Sequence, residues 1–185
     1  MTGGAVPSGP IVLVGSSIFE QWASAPGLAP GAPVVNRAVG GTVTSYWIDN
    51  LSEVLAAERP DVVLFYCGSN DLNDGVPARE IVANVERCRS IVSGSGEGPR
   101  FAWFDIMKAP QKRELGAWPI IDEVNASVRA DLPAGDLAVD TNAVVHDDGE
   151  PIAEYFVEDG LHLTAVAYEA LSASVRPLLG DWLGG

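Results

Sequence analysis

The chain has 185 residues, of which 47% are hydrophobic and 19% are charged, and its formal net charge at pH 7 is −14. This composition is typical of a compact globular domain and excludes a disordered chain. The negative charge argues against nucleic acid and anionic membrane surfaces as partners, because an acidic surface repels polyanions. Small neutral or cationic substrates fit such a surface better.

The first residues and the cysteines bear on localisation. The opening MTGGAVPSGP contains neither a basic segment nor an apolar stretch of signal-peptide length, which predicts a cytoplasmic protein whose residues 1–9 are flexible. No apolar run approaches the length that spans a bilayer, so we expect no membrane insertion. Cys67 and Cys88 lack metal-site or disulfide-scaffold spacing and are interpreted as structural thiols.

Short apolar runs alternate with longer stretches of helical spacing along the chain. The predicted strands are Ile11–Val14, Pro33–Val35, Val62–Tyr66, Phe101–Phe104 and Leu137–Val139. The predicted helices are Ile18–Ala23, Thr44–Glu58, Ala78–Ser93, Ile120–Ala130 and Ala165–Trp182. The alternation predicts one α/β domain, residues 1–185, built as a three-layer α/β/α sandwich around a five-stranded parallel sheet.

Four loops of this predicted fold carry residues of types that take part in catalysis. The carboxyl ends of parallel strands meet at one edge of a sheet, so we expect the loops to converge there. Gly15-Ser16-Ser17 follows the first strand, Gly40-Gly41 the second, and Asn70 the third, whereas Asp159 and His162 precede the last helix.

Together these residues make the set that an acyl-transfer site needs. Ser17 is a poor nucleophile unless an imidazole, here His162, takes its proton. Asp159 lies three residues before His162 and can fix its tautomer. The Ser17 and Gly41 backbone N–H groups and the Asn70 side chain could then stabilise an oxyanion.

The same four segments resemble the sequence blocks of the SGNH hydrolases, also called the GDSL esterase/lipase family. VGSSI resembles the first block, NRAVGG the second, GSNDL the third and DGLHLT the last, in order along nearly the whole chain. The resemblance implies a flavodoxin-like fold, ester hydrolysis through an acyl-enzyme, and no cofactor or metal. It also implies Ser17, Asp159 and His162 as the catalytic residues, with Ser17, Gly41 and Asn70 forming the oxyanion hole.

One position departs from the family pattern. The acidic residue that precedes the nucleophile in the family's name-giving motif is Ser16 here, which suggests a branch with the sequence GSS. A serine can hydrogen-bond within the turn but adds no charge.

Other polar and aromatic residues receive structural interpretations. Asp71 is interpreted as a turn former and His146 as a surface residue. The basic cluster Lys108, Lys112 and Arg113 is interpreted as a solvated face. The aromatic residues expected in the core or at the rim of the site are Trp22, Tyr46, Trp47, Trp103 and Trp118.

Two further functions remain open from the sequence. The same residues could transfer an acyl group to an alcohol or remove acetyl groups from a carbohydrate. A flavodoxin-like binding module without catalysis is the alternative of another class, although Glu20 beside the first loop would repel a phosphate group. The short chain leaves little room for a lid, which favours small soluble esters as the substrate.

Overall fold

The computed structural model describes residues 7–94 and 98–184 of the chain. The strands are β1 (Ile11–Gly15), β2 (Val34–Asn36), β3 (Val62–Tyr66), β4 (Arg100–Phe104), β5 (Leu137–Val139), β6 (His146–Asp147) and β7 (Glu150–Pro151). The helices are α1 (Ser17–Glu20), α2 (Thr44–Glu58), α3 (Ser69–Asn73), α4 (Ala78–Ser93), α5 (Pro110–Glu114), α6 (Trp118–Asp131), α7 (Asn142–Val145) and α8 (Ala165–Gly184).

The first five strands form one parallel sheet in the order β2-β1-β3-β4-β5, and β6 pairs with β7 separately in antiparallel fashion. This confirms the predicted α/β fold and its five-stranded sheet. The chain leaves β1 for β2 at one edge and then crosses back to β3 on the other side of β1. The carboxyl ends of β1 and β3 therefore flank a topological switch point, where α/β sheets bind their ligands.

Both faces of the sheet are buried, which explains why the strands are continuous apolar runs rather than alternating ones. In β1, Ile11 and Leu13 pack into a cluster with α1 and α8. Val12 and Val14 point to the opposite face and pack against α2, α4 and α6. Helices thus cover the sheet on both sides and leave its carboxyl edge to the loops.

The predicted aromatic positions divide between core and rim. Trp22, Trp47 and Trp103 are buried, whereas Trp118 is half-buried and Tyr46 is 38% exposed. Cys67 and Cys88 are also buried and form no disulfide, and burial raises the pKa of both thiols.

The first helix and the amino-terminal segment differ from expectation. Helix α1 ends at Glu20 rather than at Ala23, and the Phe19 carbonyl near its end accepts hydrogen bonds from the Asn36 side chain at 2.6 Å and from the Trp22 N–H at 3.1 Å. Of the predicted flexible residues 1–9, residues 1–6 lie outside the described part. The Ser8 hydroxyl and the Gly9 N–H donate to Asp61 at 3.1 and 2.6 Å, so the end of this segment is held in place.

Candidate active site

The turn that carries Ser17 depends on a glycine. Gly15, the last residue of β1, has a φ of +147°, and a Cβ there would lie 1.9 Å from the Tyr66 carbonyl oxygen. The Ser16 N–H donates to the same carbonyl at 3.0 Å. Only glycine allows this close approach, which turns the chain sharply so that Ser17 begins α1 at the carboxyl edge of the sheet.

Ser17, His162 and Asp159 form a continuous hydrogen-bonded chain, although Ser17 and His162 are 145 residues apart in sequence. The distance from Ser17 Oγ to His162 Nε2 is 2.9 Å, and that from His162 Nδ1 to Asp159 Oδ2 is 2.6 Å. An ionised carboxylate can only accept, so Nδ1 carries the ring proton and Nε2 accepts from the Ser17 hydroxyl.

The carboxylate of Asp159 is held by its own turn. Its Oδ1 also accepts the backbone N–H groups of Leu161 and His162, at 2.8 and 2.9 Å. These hydrogen bonds, above all the one from the His162 side chain, lower the pKa of Asp159 to about 2. The Asp159 carboxylate is therefore ionised at neutral pH and at mildly acidic pH.

The loop after β2 is fastened to the Ser17 turn. The Val39 N–H and the Thr42 hydroxyl both donate to the Gly15 carbonyl, at 2.9 and 3.2 Å. Between them Gly41 has a φ of +78°, and no atom lies within 4 Å of the position that its Cβ would take. Among the described residues, no acceptor is hydrogen-bonded to the backbone N–H of either Gly41 or Ser17.

Asn70 connects the third loop to this arrangement. Its side-chain amide donates to the Thr42 carbonyl at 2.9 Å, which leaves its second N–H available. The structure therefore brings together all five residues predicted for the site: Ser17, Gly41, Asn70, Asp159 and His162.

Asp71 has a larger role than the predicted turn former. It is buried, and both carboxylate oxygens accept the Thr44 backbone N–H, at 3.1 and 3.0 Å. Burial raises the pKa of Asp71. This carboxylate ties α3, with its Asn70, to the start of α2, just beyond the Gly41 loop.

Ser16 is buried next to the nucleophile position. Its side chain forms no hydrogen bond that caps α1, while its carbonyl accepts the N–H groups of Phe19 and Glu20 at 3.0 Å. The backbone rather than the hydroxyl of Ser16 thus holds this turn.

The interpretation of the basic cluster as a solvated face is wrong for one member. Lys112 is completely buried, and its Nζ donates to the Ser69 carbonyl and to Asn73 Oδ1. Lys108 and Arg113 form ion pairs and lie over the ring of Trp118, at 5.3 and 4.0 Å from its centre. The pattern of charges could not reveal which member turns inward, because α5 is too short to show a period.

His146 is half-buried rather than a free surface residue. Its Nδ1 and Nε2 lie 3.1 Å from the carbonyl oxygens of Asn142 and Lys108. These contacts hold the segment between β4 and α5 against α7. His146 is not part of the Ser17 hydrogen-bonded chain.

Within residues 7–94 and 98–184, no group of three or more His, Cys, Asp or Glu side chains is arranged to hold a metal ion. No helix in this part of the chain combines the length and apolarity needed to cross a bilayer.

Solved structures with a similar fold support the architecture. A GDSL-like lipase from Bacteroides thetaiotaomicron superimposes with a TM-score of 0.80 at 19% identity, covering 96% of this chain and 92% of its own. A lipase/acylhydrolase from Enterococcus faecalis gives a TM-score of 0.75 at 21% identity, covering 93% and 95%. At these identities the likeness shows a shared fold.

Sequence comparison gives the family. An arylesterase from Vibrio mimicus is 32% identical over 63 residues, which are 34% of this chain and 32% of the arylesterase. The aligned stretch thus spans about a third of that relative's length. The model of the GDSL-like Lipase/Acylhydrolase family matches residues 13–170 and so includes all four loops. The chain belongs to the GDSL-like lipase/acylhydrolase family.

Proposed function

We propose that the protein is a serine esterase that hydrolyses small esters through an acyl-enzyme formed on Ser17. The observation that carries this proposal is the hydrogen-bonded chain from Ser17 Oγ through the His162 ring to the Asp159 carboxylate. Family membership supports the same reaction class.

In the first half of the proposed reaction, Ser17 Oγ attacks the ester carbonyl carbon while its proton moves to His162 Nε2. Asp159 keeps the Nδ1 proton in place and stabilises the imidazolium that forms. When the tetrahedral intermediate collapses, the imidazolium gives its proton to the leaving alcohol, and the acyl group remains on Ser17.

The negative oxygen of that intermediate needs donors fixed in advance. The backbone N–H groups of Ser17 and Gly41 and the second side-chain N–H of Asn70 are the candidates. Removing one such donor typically lowers kcat by about 10² to 10³. The hydrogen bonds that tie the Gly41 loop to Gly15, and Asn70 to Thr42, would hold the three donors in one arrangement.

In the second half, a water molecule takes the place of the alcohol. His162 removes a proton from the water, which attacks the acyl-enzyme, and the acid is released as Ser17 regains its proton. Transfer to another alcohol would use the same residues, with that alcohol in place of water.

The substrate class follows from exposure and charge. The side chains of Asp159 and His162 are 44% and 27% exposed, so solvent reaches the site directly. With a net charge of −14, the chain favours small neutral or cationic esters over anionic ones.

A fluorophosphonate probe tests the proposal, because Ser17 would attack its phosphorus as it attacks a carbonyl. We expect labelling at Ser17, identified by mass spectrometry, and none at Ser16. Ser17→Ala should abolish labelling and lower kcat by about 10⁴ to 10⁶. Ser16→Ala, which removes the adjacent hydroxyl, should still be labelled. Full turnover by Ser17→Ala would mean that Ser17 is not the nucleophile. Absence of both labelling and turnover in the wild type would favour the non-catalytic binding module.

A further inference from the structure

Lys112 is placed unusually for a lysine, because its side chain is completely buried. Nζ donates to the Ser69 carbonyl at 2.9 Å and to the Asn73 side-chain oxygen at 2.6 Å. Ser69 and Asn73 are the first and last residues of α3. One side chain from α5 therefore bonds both ends of the short helix that carries Asn70.

Helix α3 needs such support. Its five residues are too few for a helix that is stable by itself. The residue before it, Gly68, has a φ of +121° and provides no side-chain cap. The direction of Asn70 therefore depends on its own bond to the Thr42 carbonyl and on two contacts of α3 with neighbouring elements, Asp71 toward α2 and Lys112 toward α5.

Helix α5 is itself firmly anchored. Before it, the backbone N–H and carbonyl of Ile106 both bond to the Asn125 side chain, each at 2.9 Å. The Trp118 ring donates to the Ala109 carbonyl at 3.0 Å. The Gln111 N–H donates to the Gly160 carbonyl at 2.9 Å, inside the turn between Asp159 and His162. Helix α5 thus contacts both the Asn70 helix and the histidine loop.

We propose that Lys112 is a positioning residue, which holds α3 so that the Asn70 amide points at the oxyanion in register with the histidine loop. This inference rests on the proposed function, since it requires Asn70 to be an oxyanion donor. Lys112 itself touches neither the nucleophile nor the substrate and acts through Asn70.

The loss of kcat expected on replacing Lys112 has an upper limit. A misplacement of about 1 Å in an active site can cost about 100-fold in rate. A residue that acts only through Asn70 cannot cost more than the loss of the Asn70 amide, about 10² to 10³ in kcat.

The test is a double-mutant cycle of Lys112→Met and Asn70→Ala, in which kcat and KM are measured with p-nitrophenyl acetate as the substrate. Methionine has a similar length but no donor. Lys112→Met should lower kcat by about 10-fold to 100-fold in the wild-type background, with KM changed by less than about 2-fold. In the Asn70→Ala background the same substitution should lower kcat by less than about 2-fold. A residue that only supports the fold would cost the same in both backgrounds.

Arg89→Met is the matched control. Arg89 is a partly buried cation on α4, and it bonds Asp136 at 2.7 Å. Its loss should lower the melting temperature but leave kcat unchanged in both backgrounds. Circular dichroism and thermal melting accompany every variant.

A second variant covers the case in which Lys112→Met does not fold. Asn73→Ala removes one of the two acceptors of Lys112 and should lower kcat several-fold in the wild type but not in Asn70→Ala. Unchanged kcat, or losses that multiply in the cycle, would overturn the inference. If Asn70→Ala itself keeps wild-type kcat, the proposed role of Asn70 as an oxyanion donor is wrong. If it loses activity and the losses multiply, only the role of Lys112 is wrong.

Discussion

At the scale of single residues, Asp159 shows how much of a site one short turn can supply. Its carboxylate accepts the backbone N–H groups of Leu161 and His162 and the ring N–H of His162. All of these partners lie within three residues, so the local sequence was sufficient to predict the pair. The approach of Ser17, which comes from the other end of the chain, needed the sheet topology as well.

Asp159→Asn is expected to lower kcat by about 10⁴, because an amide N–H facing Nδ1 favours the wrong tautomer of His162. Steady-state kinetics on a soluble acetate ester would measure this. Glu158→Gln neutralises the neighbouring exposed carboxylate and should leave kcat unchanged. A loss of less than about tenfold for Asp159→Asn would mean that Asp159 does not orient the base.

The contribution of Asp159 to the stability of the fold is expected to depend on pH. Hydrogen bonds, above all the one from the His162 side chain, lower the pKa of Asp159 to about 2. Its stabilisation of the fold is therefore complete above its ordinary pKa of 3.8 and is lost as the pH drops through about 2. Denaturant unfolding of the wild type and of Asp159→Asn should show a difference in the free energy of unfolding that shrinks over this range. A difference that stays the same between about pH 4 and about pH 2 would contradict this assignment.

Lys112 marks the limit of sequence reasoning at this scale. Beside Lys108 and Arg113 it was interpreted as solvated, since lysines seldom lie in a protein interior. Its burial depends on acceptors at Ser69 and Asn73, some forty residues away in sequence. No local pattern contains that information.

At the scale of elements, length decided which helices could be predicted. The helices α2 and α4, with 15 and 16 residues, show several turns of apolar spacing and were predicted with the correct bounds. The helices α3 and α5 have five residues each and show no period. Tertiary contacts rather than helix propensity hold them. Of the elements that the sequence did not predict, α3 carries Asn70 and α5 supports it, whereas α7, β6 and β7 carry none of the predicted site residues.

Gly15→Ala is expected to destabilise the fold by about 3 kcal/mol or more, because the positive φ and the contact with the Tyr66 carbonyl both penalise a Cβ. Denaturant unfolding would measure the change.

Gly75→Ala is the matched control, since Gly75 also has a positive φ, +72°, but no atom within 4 Å of its Cβ position. Gly75→Ala should lower the free energy of unfolding only by the backbone strain, about 1 to 2 kcal/mol. Equal costs for the two substitutions would show that the contact at Gly15 relaxes freely.

At the scale of the whole molecule, the alternating pattern of strands and helices was sufficient to predict the sheet and the edge at which the loops meet. The same reasoning could not place the hydrogen bonds among those loops, because the Val39, Thr42 and Asn70 contacts depend on exact backbone geometry. The residue types of the site were therefore predictable, whereas the network that holds them was not.

The net charge of −14 should affect the choice of substrate at a distance. For acetate esters that differ only in the charge of the alcohol, kcat/KM should follow the order cationic, neutral, anionic. Raising the NaCl concentration from about 0.05 to about 0.5 M should reduce the differences in kcat/KM among these esters, because the Debye length shortens. An order that does not respond to salt would point to direct contacts instead of the overall field.

The docking of α8 on α1 and on the residues just after α1 bears on the order of refolding. The Tyr168 hydroxyl donates to the Ile18 carbonyl at 2.8 Å, and the Trp22 ring donates to Ser172 at 2.9 Å, in both cases across 150 residues of chain. The chain must lose loop-closure entropy before either contact can form, whereas the contacts within a helix are local. During refolding from denaturant, helical circular dichroism should return first, and esterase activity should lag until α8 brings His162 onto Ser17. The rate at which activity appears would then report the rate at which α8 docks.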